Sequence, residues 1–224
     1  MLFLIKRRGR RSFSFCLGLE KELNVFMIKL FIFDMGGVVA ESTDFDKKLA
    51  SYLGFEGRLL HENEDVERAI RDHMEGKIDE DQFWEIYISK YGSIKKPKSS
   101  LFGKFFNPSL DKGTVKLIQD LKAKGNRVVC GTNVIDSHYK IHMAKSQYDI
   151  FDKVYASHLM HVSKPNTAFY SYICNKEKVD PSQVFFIDDM EENIETAREY
   201  GLNAETFKSS EQIRTYLKIN NIFA

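Results

Sequence analysis

Five short, mostly apolar runs separated by helical segments constrain this chain more than any other feature of it. They are residues 29–35 (KLFIFDM), 127–131 (RVVCG), 153–157 (KVYAS), 184–188 (VFFID) and 204–207 (AETF). The strongest of them are apolar at successive positions rather than alternate ones. That pattern belongs to strands buried on both faces, the usual state of a parallel sheet covered by helices. Amphipathic helices are expected between them at 114–124, ending at Gly125, and at 137–145, 165–175 and 191–200. Repeated strand–helix–strand units predict an α/β fold with a Rossmann-like parallel sheet. Right-handed crossovers then bring every strand's carboxyl end to one edge, where such sheets bind ligands.

Residues 43–108 have a different rhythm, with helical periods and no strong strand. Helices are expected at 45–53, at 64–74 closing near Gly76, and from an Asp79 N-cap to Gly92, where Glu80 and Asp81 suit the helix dipole. A basic connection containing Pro97 follows at 94–100. The expected division is a core of 27–42 and 109–224 carrying an all-helical insert, 43–108. Residues 1–26 stand apart, holding six of the 33 cations and two of the 32 anions. They read as an upstream extension or tail, with Met27 as the expected start, because 12–19 is too short and serine-broken for a signal peptide.

No apolar run reaches the ~18 residues that a bilayer span requires. The net charge of +1 gives no basic field for nucleic acid. Cys16, Cys130 and Cys174 are an odd set without close pairing, which fits a reducing compartment. A soluble cytoplasmic protein with neither nucleic-acid nor membrane partners is expected, its oligomeric state open.

The strand ends collect a distinctive set. The first delivers Asp34, the second Thr132 and Asn133, and the fourth Asp188 and Asp189, while Lys164 follows the third. Asp34 and Asp188 are hard oxygen ligands of the kind Mg²⁺ prefers. Lys164, the Thr132 hydroxyl and the Gly36 and Gly37 amides can hold phosphate oxygens. Together they suit phosphoryl transfer, with an aspartate able to act as nucleophile.

FDMGGVV (33–39), GTN (131–133), SKP (163–165) and FIDDMEEN (186–193) resemble, in order, the four motifs of the haloacid dehalogenase-like hydrolase superfamily. The likeness covers roughly residues 27–210, and the insert is similar to that family's small helical cap. EGKIDEDQFW (75–84) and its spacing to His138 resemble the branch containing glucose-1-phosphate phosphatase. The resemblance implies a Mg²⁺-dependent phosphatase acting on a small phosphorylated metabolite, with sugar phosphates favoured. It makes Asp34 the nucleophile and a metal ligand, and Gly36 the donor of a carbonyl ligand. Thr132 and Asn133 hold the phosphate, Lys164 balances charge, Asp188 binds metal and Asp189 orients the ligand shell.

Two positions depart from that pattern. Most phosphatases of the superfamily carry a second Asp two residues after the nucleophile, as general acid and base; here Gly36 stands there, although the glucose-1-phosphate phosphatase-like branch shares it. Glu41 is a candidate substitute. His161 occupies a place where relatives usually have Gly, so an altered turn is expected. Two alternatives stay open: a non-catalytic member binding a phosphorylated ligand or protein, and a metal-independent 2-haloacid dehalogenase. His138, His158 and His161 lack metal-ligand spacing. Phe83, Trp84 and Tyr87 read as insert core, and Cys130 as an inert core thiol.

Overall fold

The computed structural model describes residues 27–60, 64–92, 95 and 97–222. The expected tail, 1–26, lies outside the described residues, as does part of the 94–100 connection. In chain order the first half comprises β1 (Leu30–Phe33), β2 (Ala40–Glu41), α1 (Asp46–Leu53), α2 (Glu64–Met74), α3 (Glu80–Tyr91), α4 (Leu101–Phe105), β3 (Ser109–Leu110) and α5 (Lys112–Ala123). The second half comprises β4 (Arg127–Thr132), α6 (Asp136–Ala144), β5 (Lys153–Ala156), α7 (Ser157–Met160), α8 (Thr167–Glu177), β6 (Val184–Asp188), α9 (Glu191–Tyr200), β7 (Asn203–Thr206) and α10 (Ser210–Ile219).

Five strands form one parallel sheet in the order β5-β4-β1-β6-β7, the Rossmann-like core expected. The apolar runs are continuous because side chains alternate between two covered faces. Phe31 and Phe33 of β1 point to the face packed by Leu117, Ile118 and Leu121 of α5 and by Ile213 and Leu217 of α10. Leu30 and Ile32 point to the opposite face, against Phe169, Tyr170 and Ile173 of α8 and Ile194 of α9. β1 sits at the centre, with Phe33 registered against Cys130 on one side and Ile187 on the other. Asp34 therefore emerges between the ends of β4 and β6. Cys130 is fully buried, and burial pushes its thiol pKa well up, as an inert core position requires.

The chain between β2 and β3 builds a separate apolar cluster. Leu49, Val66, Ile70, Phe83, Trp84, Tyr87, Leu101 and Phe102 are buried together, joined by Ile135 from the loop after β4. Asp79 caps α3 through a reciprocal bond with Gln82. Antiparallel pairing of Ala40 with Leu110 and of Glu41 with Ser109 holds the entering and leaving chains side by side. That ribbon was not anticipated, nor were α4, α7 and α10. Among the described residues no helix is long and apolar enough to cross a membrane.

The end of α2 is fastened to the segment leading to Lys164. The Ser157 hydroxyl donates to the Met74 carbonyl at 2.6 Å, and His161 Nδ1 donates to the Glu75 carbonyl at 2.9 Å. Ser163 donates its backbone N–H (3.2 Å) and its hydroxyl (2.6 Å) to Glu75 Oε1. Gly76 lies so close that a Cβ there would stand 2.4 Å from the His158 carbonyl oxygen. His161 itself takes a left-handed φ of 59°, a conformation that Gly adopts without steric cost. The hydrogen bond to Glu75 helps offset the strain of that conformation.

Burial opposes ionisation of Glu75, but hydrogen bonds from Lys77 and Ser163 outweigh it and hold the carboxyl below its ordinary value of 4.5. A depressed carboxylate pKa stabilises the folded state above the unfolded value, and that stability is lost as pH falls through the folded one. Replacing Glu75 by Ala leaves two Ser163 donors unpaired and should cost about 1.5–3 kcal/mol. Urea unfolding at neutral pH measures this, and the difference between wild type and variant should shrink as pH drops below about 4.5.

Candidate active site

Asp34 follows β1 directly, its backbone N–H held by the Ile187 carbonyl at 2.9 Å. Lys164 bridges it to the end of β6, with Nζ 2.8 Å from Asp34 Oδ1 and 2.6 Å from Asp188 Oδ2. All three are buried, at 9%, 4% and 0% exposure for Asp34, Lys164 and Asp188. Asp188 Oδ1 accepts from the Met190 N–H and from Asn193 Nδ2, each at 2.9 Å. Asn193, quoted within the fourth motif but given no role there, thus fixes the Asp188 carboxylate.

Asn133 acts in a similar way on Lys164. Its Nδ2 donates to the Lys164 carbonyl at 2.9 Å, and its Oδ1 accepts the Lys164 N–H at 2.8 Å. The amide pins the lysine's backbone from both sides while the residue also lines the cleft above Asp34. Thr132, Gly36, Gly37 and Asp189 line that same cleft; Glu41 is not among its walls.

The two glycines differ in what they require. Gly37 has φ 74°, and a Cβ there would lie 2.2 Å from Asp189 Oδ2, so the loop reaches this carboxylate only because no side chain intervenes. At Gly36 the nearest atoms to a Cβ would be those of Thr43, at 3.6–3.8 Å, an ordinary contact.

Asp34, Asp188 and Asp189 bring carboxylate oxygens within 4.8 Å of one another. Three acids face one ammonium, an imbalance that raises the cost of ionising the last of them. Burial pushes the Asp34 pKa up to about 7; Lys164 pulls it back, and Asp188 and Asp189 add to the rise. Asp189 is raised by burial and by Asp188. Burial disfavours the Lys164 charge, yet Asp188 and Asp34 outweigh it and keep the ammonium above its usual range. A dication held by hard oxygens relieves that repulsion, and each carboxylate offers about four lone-pair sites, so Asp188 has room for one beside its three hydrogen-bond partners. The donor set fits Mg²⁺.

The histidines do not join this cluster. His138 Nε2 donates to the Phe102 carbonyl at 3.2 Å, and its ring stacks on Phe106 with centroids 3.7 Å apart. Burial pushes its pKa down to about 3, so it is neutral.

A central Asp on a five-stranded parallel sheet, facing a second acidic pair across a lysine, is the framework of a hydrolase family whose sequence pattern, haloacid dehalogenase-like hydrolase, matches residues 28–201. The chain belongs to that family. Among curated proteins it is 24% identical to a drimenol cyclase from Aspergillus calidoustus, over 88% of this chain but 37% of that protein, so it spans little more than a third of that relative's length. It is 26% identical to a sesquiterpene phosphatase from Aspergillus oryzae, over 78% of this chain and 87% of that one. It is also 26% identical to a D-ribitol-5-phosphate phosphatase from Bacteroides thetaiotaomicron, over 81% of this chain and 92% of that one. A solved HAD family enzyme from Bacteroides thetaiotaomicron superimposes with a TM-score of 0.68 at 22% identity, covering 85% of this chain and 98% of its own.

Proposed function

We propose that this hydrolase is a Mg²⁺-dependent phosphomonoesterase that works through a phosphorylated Asp34. The convergence of the Asp34, Asp188 and Asp189 carboxylates around Lys164 carries this assignment. Two of the relatives are phosphatases by name, and the Bacteroides enzyme has been solved with magnesium and inorganic phosphate, which supports it. Asp34, Asp188, Asp189 and the Gly36 carbonyl would hold the metal. Bound there, Mg²⁺ supplies positive charge that offsets repulsion between phosphate and attacking carboxylate.

The chain's own residues divide the remaining work. An Asp34 carboxylate oxygen bonds to phosphorus as the ester P–O bond breaks and the alcohol leaves with the bonding pair. Water then attacks phosphorus, releasing inorganic phosphate and restoring the carboxylate. Lys164 keeps Asp34 oriented and balances charge on the phosphate oxygens. Thr132 and the amides of Gly36 and Gly37 donate to those oxygens, and Asn133 and Asn193 hold Lys164 and Asp188 in place. Residues 43–108 act as a cap over the 27–42 and 109–224 core, placing Phe45, Leu60 and Ile70 above Asp34.

EDTA should abolish phosphate release from phenyl phosphate, and Mg²⁺ should restore it. Metal binding displaces the proton that metal-free Asp34 retains up to about pH 7, so the Mg²⁺ needed for half-maximal rate should rise as pH falls below 7. Undiminished turnover in EDTA, or activity confined to 2-haloacids, would overturn the assignment.

A further inference from the structure

The cleft over Asp34 has a volume of about 460 Å³, in the range of small-molecule sites. Asp34 and Asp189 lie at one end of it, and most of the remaining wall is apolar. Phe45, Leu60, Ile70 and Met74 from the helical segment line it together with Phe106 and Ile135.

The polar side chains that reach these walls are engaged with the protein. Asp46 Oδ1 accepts from the N–H groups of Leu59 (2.9 Å) and Leu60 (3.1 Å). Asp44 pairs with Arg58 at 3.0 Å, both about half exposed. His138 donates to Phe102 and lies flat on Phe106, while His142 Nδ1 is hydrogen-bonded to Gln147 Oε1 at 2.6 Å. Both amide atoms of Asn133 are on the Lys164 backbone. Spare capacity lies in the second imidazole nitrogens, in Asp46 Oδ2, which is buried without a hydrogen bond, in the second Asn133 Nδ2 hydrogen, and in the remaining atoms of the half-exposed Asp44–Arg58 pair. The Thr43 hydroxyl lies beside Gly36, at the phosphate end.

A polyol phosphate brings a hydroxyl on almost every carbon, and each one stripped of water without a partner carries a penalty. An apolar group surrenders no such bonds and gains from every carbon placed against Leu, Ile, Met and Phe. Resting on the phosphomonoesterase assignment above, we infer that the substrate is a phosphomonoester of a largely apolar alcohol or phenol, with few hydrogen-bonding groups on its organic part. The sugar-phosphate class implied by the sequence resemblance does not suit these walls.

A series of 4-alkylphenyl phosphates from methyl to octyl tests this, because the leaving oxygen stays the same while the apolar tail grows. With Mg²⁺ present, kcat/KM should rise about fourfold per methylene, the ratio equivalent to about 0.8 kcal/mol per buried CH₂, until the cleft is filled. Glucose 1-phosphate and ribitol 5-phosphate should be turned over far more slowly. The same compounds titrated calorimetrically into Asp34→Asn protein should show dissociation constants falling with the same slope. Hydrolysis of phenyl phosphate with a flat or falling chain-length profile, or a preference for the polyol phosphates, would overturn the apolar-substrate inference and leave the phosphomonoesterase standing. A binding slope with no hydrolysis by wild type would uphold the apolar cleft and overturn the phosphomonoesterase. Absence of both would overturn both.

Discussion

Replacing Asp34 by Asn should lower kcat on phenyl phosphate by on the order of 10⁴–10⁶-fold, the scale seen when a covalent nucleophile is removed. Asn has the same shape and keeps a polar group beside Lys164, whose bond to Asp188 at 2.6 Å survives. The fold should survive with it. The Asp34 pKa is raised to about 7, so its charge at higher pH works against the folded state, and neutralising it should leave the unfolding midpoint unchanged or higher. Asp34→Glu should also be severely impaired. One extra methylene moves the carboxylate by about 1 Å, and misplacement of that size can cost 10²-fold. Stopped turnover with an undiminished melting temperature separates loss of chemistry from loss of structure.

Introducing an acid at position 36 should have the opposite effect. Without a proton donor there, the leaving oxygen departs largely as an anion, and rates should fall steeply as the leaving group becomes more basic. Gly36→Asp should raise kcat/KM on unactivated alkyl phosphates by roughly 10²–10⁴-fold, the usual worth of general acid–base catalysis. Activated aryl phosphates should change little. The position admits a Cβ, since the nearest atoms, those of Thr43, would lie at 3.6–3.8 Å and the backbone needs no left-handed φ. The measurement is the dependence of log kcat/KM on leaving-group pKa, which should flatten in the variant. An unchanged slope would mean that another group already supplies the proton.

The sheet and its reactive edge were legible in the chain because their signals are local. VFFID and KLFIFDM announce doubly covered strands by composition alone, and strand-end Asp34, Asp188 and Asp189 follow once the strands are parallel. Helix α10 was equally legible, with Ser209 accepting from the Gln212 N–H and Ile213 and Leu217 on the buried face, but the expected elements stopped at residues 204–207. Other features depend on contacts made across the fold. Helix α4 has five residues, and its start is held by Glu80 Oε1, which accepts from the N–H groups of Leu101 and Phe102 at 2.8 and 3.2 Å. Strands β2 and β3 are two residues each and exist only because they find one another.

The same distinction runs through the site. Glu75 sits in EGKIDEDQFW as one more surface acid until Ser163, 88 residues away, is seen to donate to it twice. Asn133 reads as a phosphate ligand by position, and only the fold shows that its amide also holds the Lys164 backbone from both sides. The apolar character of the cleft comes from residues drawn from separate helices and loops, none distinctive alone.

The central claim is that the Asp34 carboxylate bonds to phosphorus. Wild-type protein with Mg²⁺ can be mixed with excess phenyl phosphate, quenched in acid during the first turnovers, digested and examined by mass spectrometry. One phosphoryl group should be found on the peptide spanning residues 30–47, localised to Asp34 and removed by hydroxylamine as an acyl phosphate. Rapid turnover with the phosphoryl group carried by a different side chain would contradict the account.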